Sequence, residues 1–101
     1  MNMSALMAQA QKMQRELIKA QEAFAEKEFK LSKNGMVEIT MTGDHNIVRL
    51  DIDTDALDAD NKDMLEESIG MCVNELIAQI DEEFEALKDK ITGGANTTGL
   101  F

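Results

Sequence analysis

Apolar positions recur along the first two dozen residues with an unbroken helical period. Met3, Leu6, Ala10, Met13, Leu17, Ala20 and Phe24 are separated alternately by three and four residues. That is the a/d seam of a heptad repeat, set among Gln, Glu, Lys and Ala with no Pro or Gly. The pattern predicts a helix to about Glu26, roughly 36 Å long at ~1.5 Å per residue. The period then shortens to two. Phe29 and Leu31 alternate with Glu28, Lys30 and Ser32, and the Asn34-Gly35 pair that follows is a strong hairpin signal because both residues tolerate positive φ. Residues 36–42 (MVEITMT) place Val37, Ile39 and Met41 on one face. After a turn at 43–46 (GDHN), residues 47–53 place Val48, Leu50 and Ile52 opposite Arg49, Asp51 and Asp53. Three strands joined by tight turns predict an antiparallel meander, apolar on a single side.

From about Asn61 to Ile91 the helical period returns. Ile69, Val73, Leu76, Ile80, Phe84, Leu87 and Ile91 form one stripe, widened near its start by Leu65, Cys72 and Ile77. Asp58, Asp60 and Asn61 are candidate N-caps. Gly70 interrupts the helix at a cost of roughly 1 kcal/mol relative to Ala, which implies a close backbone approach there. Gly93 and Gly94 end it. The expected organisation is α+β, in the order α-β-β-β-α, with a single domain over 1–92 and a flexible tail over 93–101. A second helix of about 31 residues is ~46 Å long, whereas the strands span only about 17–23 Å. Both helices therefore outrun the sheet, and their seams need cover from each other or from a second copy. A homodimer with projecting helical arms is expected, with open sheet edges available for pairing.

Charge changes the picture more than composition does. The chain of 101 residues carries a net charge of −10. Residues 1–26 sum to zero, 27–53 to −1 and 54–101 to −9. Contact with a polyanion must then come from a local stripe, not from the overall field. Lys12, Arg15 and Lys19, spaced i, i+3, i+7, form such a stripe on the outer face of the first helix. Glu22 and Glu26 continue the same face and dilute it. With only four aromatic residues, all Phe, there is no platform for stacking single-stranded bases.

Other chemistry is thin. No run nears the ~20 apolar residues of a bilayer span, and the N-terminus lacks the pattern of a secretory signal, so a cytoplasmic protein with no membrane partner is expected. His45, the single histidine, falls in a turn, and Ser4, Ser32 and Ser68 have no evident triad partners. Cys72 falls on an apolar stripe, as an inert buried thiol does. The aspartate run at 51, 53 and 55 starts like a calcium loop, but Ala56 and Lys62 stand where that loop needs Gly and Glu. No catalytic residue, metal site, cofactor or small-molecule substrate is expected.

Four segments carry a family likeness: MAQAQKMQ (7–14), GMVEITMTG (35–43), LDID (50–53), and DNKDMLEE (60–67) with Asn74 downstream. In this order and spacing they resemble the YbaB/EbfC family of bacterial nucleoid-associated proteins. The resemblance implies an α-β-β-β-α fold, a homodimer with tweezer-like arms, a nucleoid location and DNA binding without catalysis. It places DNA contacts on the first and last helices, here Lys12, Arg15 and Lys19, with Lys88 and Lys90 near the arm tips. Ala8 stands where family members often carry Lys, which lowers the positive charge. The expected function is therefore binding of double-stranded DNA, largely through phosphates and with weak sequence preference, to organise the nucleoid or alter gene expression. The competing expectation is a dimeric protein–protein interaction module with no DNA contact.

Overall fold

The computed structural model describes residues 2–93. Its elements are α1 (Met3–Glu26), β1 (Glu28–Lys33), β2 (Val37–Thr42), β3 (Ile47–Ile52) and α2 (Lys62–Thr92), with two short 3-10 turns, Thr54–Ala56 and Ala59–Asn61, before α2. The order is the expected α-β-β-β-α, and the three strands form an antiparallel sheet in the order β1-β2-β3. Asn34 and Gly35 both take positive φ in the first hairpin, as the Asn-Gly pair requires. Of the predicted tail 93–101, all but Gly93 lies outside the described residues. Gly93 itself is the left-handed C-cap of α2, with φ 62° and ψ 29°.

The core lies between α2 and the first two strands. Phe29, Val37, Ile39 and Met41 from the sheet meet Cys72, Leu76 and Ile80 from α2, with Phe24 closing one end. α2 rests against β1 and β2 and barely reaches β3. Three contacts fix its orientation on the β1 side. Cys72 Sγ donates to the Leu31 carbonyl at 3.1 Å, Lys33 pairs with Glu75 at 2.7 Å, and Asn34 donates to Ser68 Oγ at 2.7 Å. On the other flank, His45 Nε2 lies 2.9 Å from Asp81 Oδ1.

The molecule is 70 Å long and 22 by 13 Å across, with a radius of gyration of 19.5 Å. A compact chain of this length has a radius of gyration near 13 Å, so the helices do project. α1 runs antiparallel to α2. Phe24 stacks on Phe84 with ring centroids 5.2 Å apart, and Ile91 sits beside Gln9, Lys12, Met13 and Glu16. α2 therefore ends about halfway along α1. The seam is covered accordingly: Phe24 is buried, Met13, Leu17 and Ala20 are half-buried, and Met3, Leu6 and Ala10 are exposed.

Two sequence expectations need correction. A register shift between Thr40 and Met41 sets Ile47 opposite Met41 and Arg49 opposite Thr40. Val48 is the extra residue of that bulge, so Ile47 takes its place on the face of Leu50 and Ile52. Gly70 has nothing within 4 Å of where a Cβ would stand, so the close approach expected there does not occur within the chain. The tight glycine is Gly43, where a Cβ would lie 1.9 Å from the Phe24 carbonyl oxygen. Gly43 N–H also donates to the Lys27 carbonyl at 3.0 Å, which locks the β2–β3 turn under the junction of α1 and β1.

Candidate nucleic-acid interface

The stripe on α1 survives folding as a surface. Asn2 caps the helix by accepting from Ser4 N–H at 3.0 Å, which satisfies one of the open donors of the first turn. From there Lys12, Arg15 and Lys19 are all exposed. Over seven residues they span about 10 Å of helix. None of the three enters an ion pair among the described residues, although Glu16 and Glu22 are close in sequence.

The remaining basic side chains are mostly committed. Lys27 pairs with Glu83 at 3.5 Å, Lys33 with Glu75 at 2.7 Å, Arg49 with Asp51 at 3.9 Å and Lys62 with Glu66 at 2.7 Å. Lys88 is held twice, 2.7 Å from Glu85 Oε1 and 4.9 Å above the Phe84 ring. Lys90 borders a shallow depression with Phe24, Lys27, Glu83, Ala86 and Leu87. Because α2 stops halfway along α1, Lys88 and Lys90 stand beside the middle of the arm and not at its tip. The spacing of Lys12, Arg15 and Lys19 was readable directly. The Lys88–Phe84 contact was not, since i, i+4 proximity alone does not say that a charge folds back on a ring.

The residues weighed for other chemistry are occupied structurally. Cys72 is fully buried, and desolvation pushes its thiol up, away from the thiolate a nucleophile needs. Asp53 and Asp58 each cap a 3-10 turn, accepting from Asp55 N–H at 2.9 Å and Asp60 N–H at 3.0 Å. His45 has φ of 65° in its turn and faces Asp81, a partner 36 residues away that no local pattern announces. Among the described residues no helix is long and apolar enough to cross a membrane.

The structure thus defines a class, an arm-bearing α-β-β-β-α protein with three cations outside any ion pair on one stripe of α1, beside Lys30 and Lys90, which also enter none among the described residues. More particularly, the chain belongs to the YbaB/EbfC DNA-binding family, whose model it matches over residues 1–95. It is 44% identical over 94 residues to a nucleoid-associated protein of Enterococcus faecalis, covering 92% of this chain and 90% of that one. A nucleoid-associated protein of Clostridium novyi is 38% identical over 102 residues, covering 100% of this chain and 90% of its own. An uncharacterized protein of Helicobacter pylori, solved by crystallography, shares the fold with a TM-score of 0.75 at 20% identity, over 91% of this chain and 98% of that one. The family is one of nucleoid-associated DNA-binding proteins, not of enzymes.

Proposed function

We propose that this protein is a cytoplasmic, nucleoid-associated homodimer that grips duplex DNA through the outer faces of its α1 arms. The observation that carries this reading is the exposed set Lys12, Arg15 and Lys19, outside every ion pair among the described residues, on a helix whose residues 1–26 carry no net charge. Phosphates along one strand repeat every ~3.4 Å of helix axis, so three cations spread over an arm can each neutralise one. Contacts of this kind position a protein without reading bases, and sequence preference is accordingly weak. Lys90 and Lys88 are auxiliary contacts, Lys88 only after leaving Glu85 and the Phe84 ring. The dimer doubles the stripe to six charges. Its support is the length of the molecule and the apolar surface a single chain leaves bare.

Fluorescence anisotropy on duplex DNA across a salt series tests this. Six phosphate contacts give a slope of log affinity against log salt of about −5. The triple substitution Lys12→Glu, Arg15→Glu, Lys19→Glu is expected to abolish binding at low salt while leaving the fold intact. Wild-type protein that fails to bind at low salt, with its dimer intact, would point instead to a protein-interaction module.

A further inference from the structure

The strand residues of the core, Phe29 on β1 and Val37, Ile39 and Met41 on β2, all lie on the face toward α2. Their alternates lie on the face turned away from it. Pairing sets three rows across that outer face: Glu28 with Thr42, Lys30 with Thr40 and Arg49, and Ser32 with Glu38 and Asp51. Only the middle row carries cations. Lys30 is exposed and enters no ion pair among the described residues. Arg49 lies 3.9 Å from Asp51, too far for a hydrogen bond, and its side chain is 70% exposed.

Thr40 stands between these two cations and is only 3% exposed. Its cross-strand neighbours, Lys30 and Arg49, are its nearest cover on either side. The three hydroxyls of this face are not equivalent. Ser32 donates to Glu38 at 3.2 Å and Thr42 donates to Asp44, whereas the Thr40 hydroxyl enters no hydrogen bond among the described residues. A buried hydroxyl without a partner is costly, and an incoming oxygen removes that cost.

We propose that Lys30, Thr40 and Arg49 form a second phosphate-binding row, where the hydroxyl donates to a backbone phosphate of duplex DNA held between the ammonium and the guanidinium. The assignment rests on the DNA-binding reading above and adds a contact away from α1. Neighbouring strands are ~4.8 Å apart, so the Cα atoms of Lys30 and Arg49 stand about 10 Å apart across the row. Both side chains are long enough to lean over Thr40 from opposite sides. A point charge, a planar fork and a neutral donor then converge, a set that suits the oxygens of a phosphate. Glu28, Glu38 and Asp51 border the row and oppose any anion. Their side chains are shorter than those of Lys30 and Arg49, so an extended polyanion crossing the face meets the cationic tips first. A free phosphate ion faces those three carboxylates unaided. A duplex already gripped by α1 is presented to the row at high effective concentration.

Fluorescence anisotropy on the full chain, with a duplex of about 40 base pairs across a salt series, tests the row. At ~3.4 Å per pair that duplex is about 136 Å long and outreaches the 70 Å molecule. The wild-type slope of log affinity against log salt is expected to be steeper than the value of about −5 given by the α1 stripes alone. Lys30→Gln combined with Arg49→Gln is expected to return it to about −5, because each lost phosphate contact removes ~0.9. Thr40→Val keeps the side-chain shape. It is expected to weaken binding roughly fivefold with the slope unchanged, since a neutral hydroxyl releases no counterion. Unchanged circular dichroism is expected for every variant. A wild-type slope equal to that of the double variant, or Thr40→Val binding like wild type, would overturn the row and leave the α1 reading standing. Inorganic phosphate that moves the Thr40 and Arg49 amide resonances as far as the duplex does, at matched ionic strength, would overturn DNA as the occupant. A wild type that binds no duplex at low salt would overturn both readings.

Discussion

The two ends of α1 are one helix by sequence pattern and two different objects by environment. At Phe24 the helix is tied down from three directions: ring centroids lie 5.6 Å from Phe29 and 5.2 Å from Phe84, and the carbonyl oxygen seats Gly43. At Met3, Leu6 and Met7 the same helix touches almost nothing, and these side chains are 69%, 44% and 59% exposed. A heptad seam therefore specifies which side of a helix is apolar, not how much of it is used. The charged residues divide in the same way. Most cations near the body, Lys27, Lys33 and Lys62 among them, pair with its carboxylates, Lys30 being the exception, and Lys12, Arg15 and Lys19 on the arm enter no ion pair among the described residues.

That contrast can be broken by substitution. The largest expected effect on stability comes from the body. Leu76→Ala, at a fully buried position, is expected to cost about 3 kcal/mol, whereas Leu6→Ala is expected to stay within about 0.5 kcal/mol. Urea titration of the two variants measures both. A comparable loss at Leu6 would mean the outer half of the arm is covered in solution. Next in size is Gly43→Ala, which drives a methyl into the Phe24 carbonyl and ring. The expected loss is about 2 kcal/mol, read in the same titration. The methyl acts on the joint itself, so loss of near-ultraviolet phenylalanine fine structure should accompany it. The smallest effect concerns Asp44 in the β2–β3 turn. A hydrogen bond from the Thr42 hydroxyl holds its carboxyl below the ordinary carboxylate range. A depressed folded pKa adds stability above the unfolded value and loses it as pH falls through the folded one. Thr42→Val is expected to return the Asp44 titration, followed by NMR, toward the ordinary range and to remove that part of the acid dependence.

Much of this architecture could be read from periodicity. The change from a three/four period to a two period at Lys27 marks the end of α1, and Asn34-Gly35 fixes the first hairpin. What escaped the pattern is what depends on residues distant in sequence. The bulge at Val48 cannot be seen in IVRLDI, because strict alternation puts Val48, Leu50 and Ile52 on one apolar face and gives no sign that Ile47 takes the place of Val48; the pairing with Met41 decides. Gly43 reads as a turn residue, and only the fold brings Phe24 onto it. Gly70 reads as a contact point and is not one within the chain. The basic stripe was legible because it is local to one helix. The capture of Lys88 was not, because it depends on how Phe84 turns against Phe24.

The aromatic joint at Phe24 gives the arm a mechanical ratio. Lys12 lies twelve residues from it, a lever of about 18 Å. A rotation of about ten degrees at the joint therefore carries the ammonium roughly 3 Å, close to the ~3.4 Å step between phosphates on one strand. A slight change in how Phe24, Phe29 and Phe84 nest would thus move Lys12 by about the spacing of neighbouring phosphates. In the proposed DNA contact, the stiffness of three rings would set how finely the arm is indexed along the duplex.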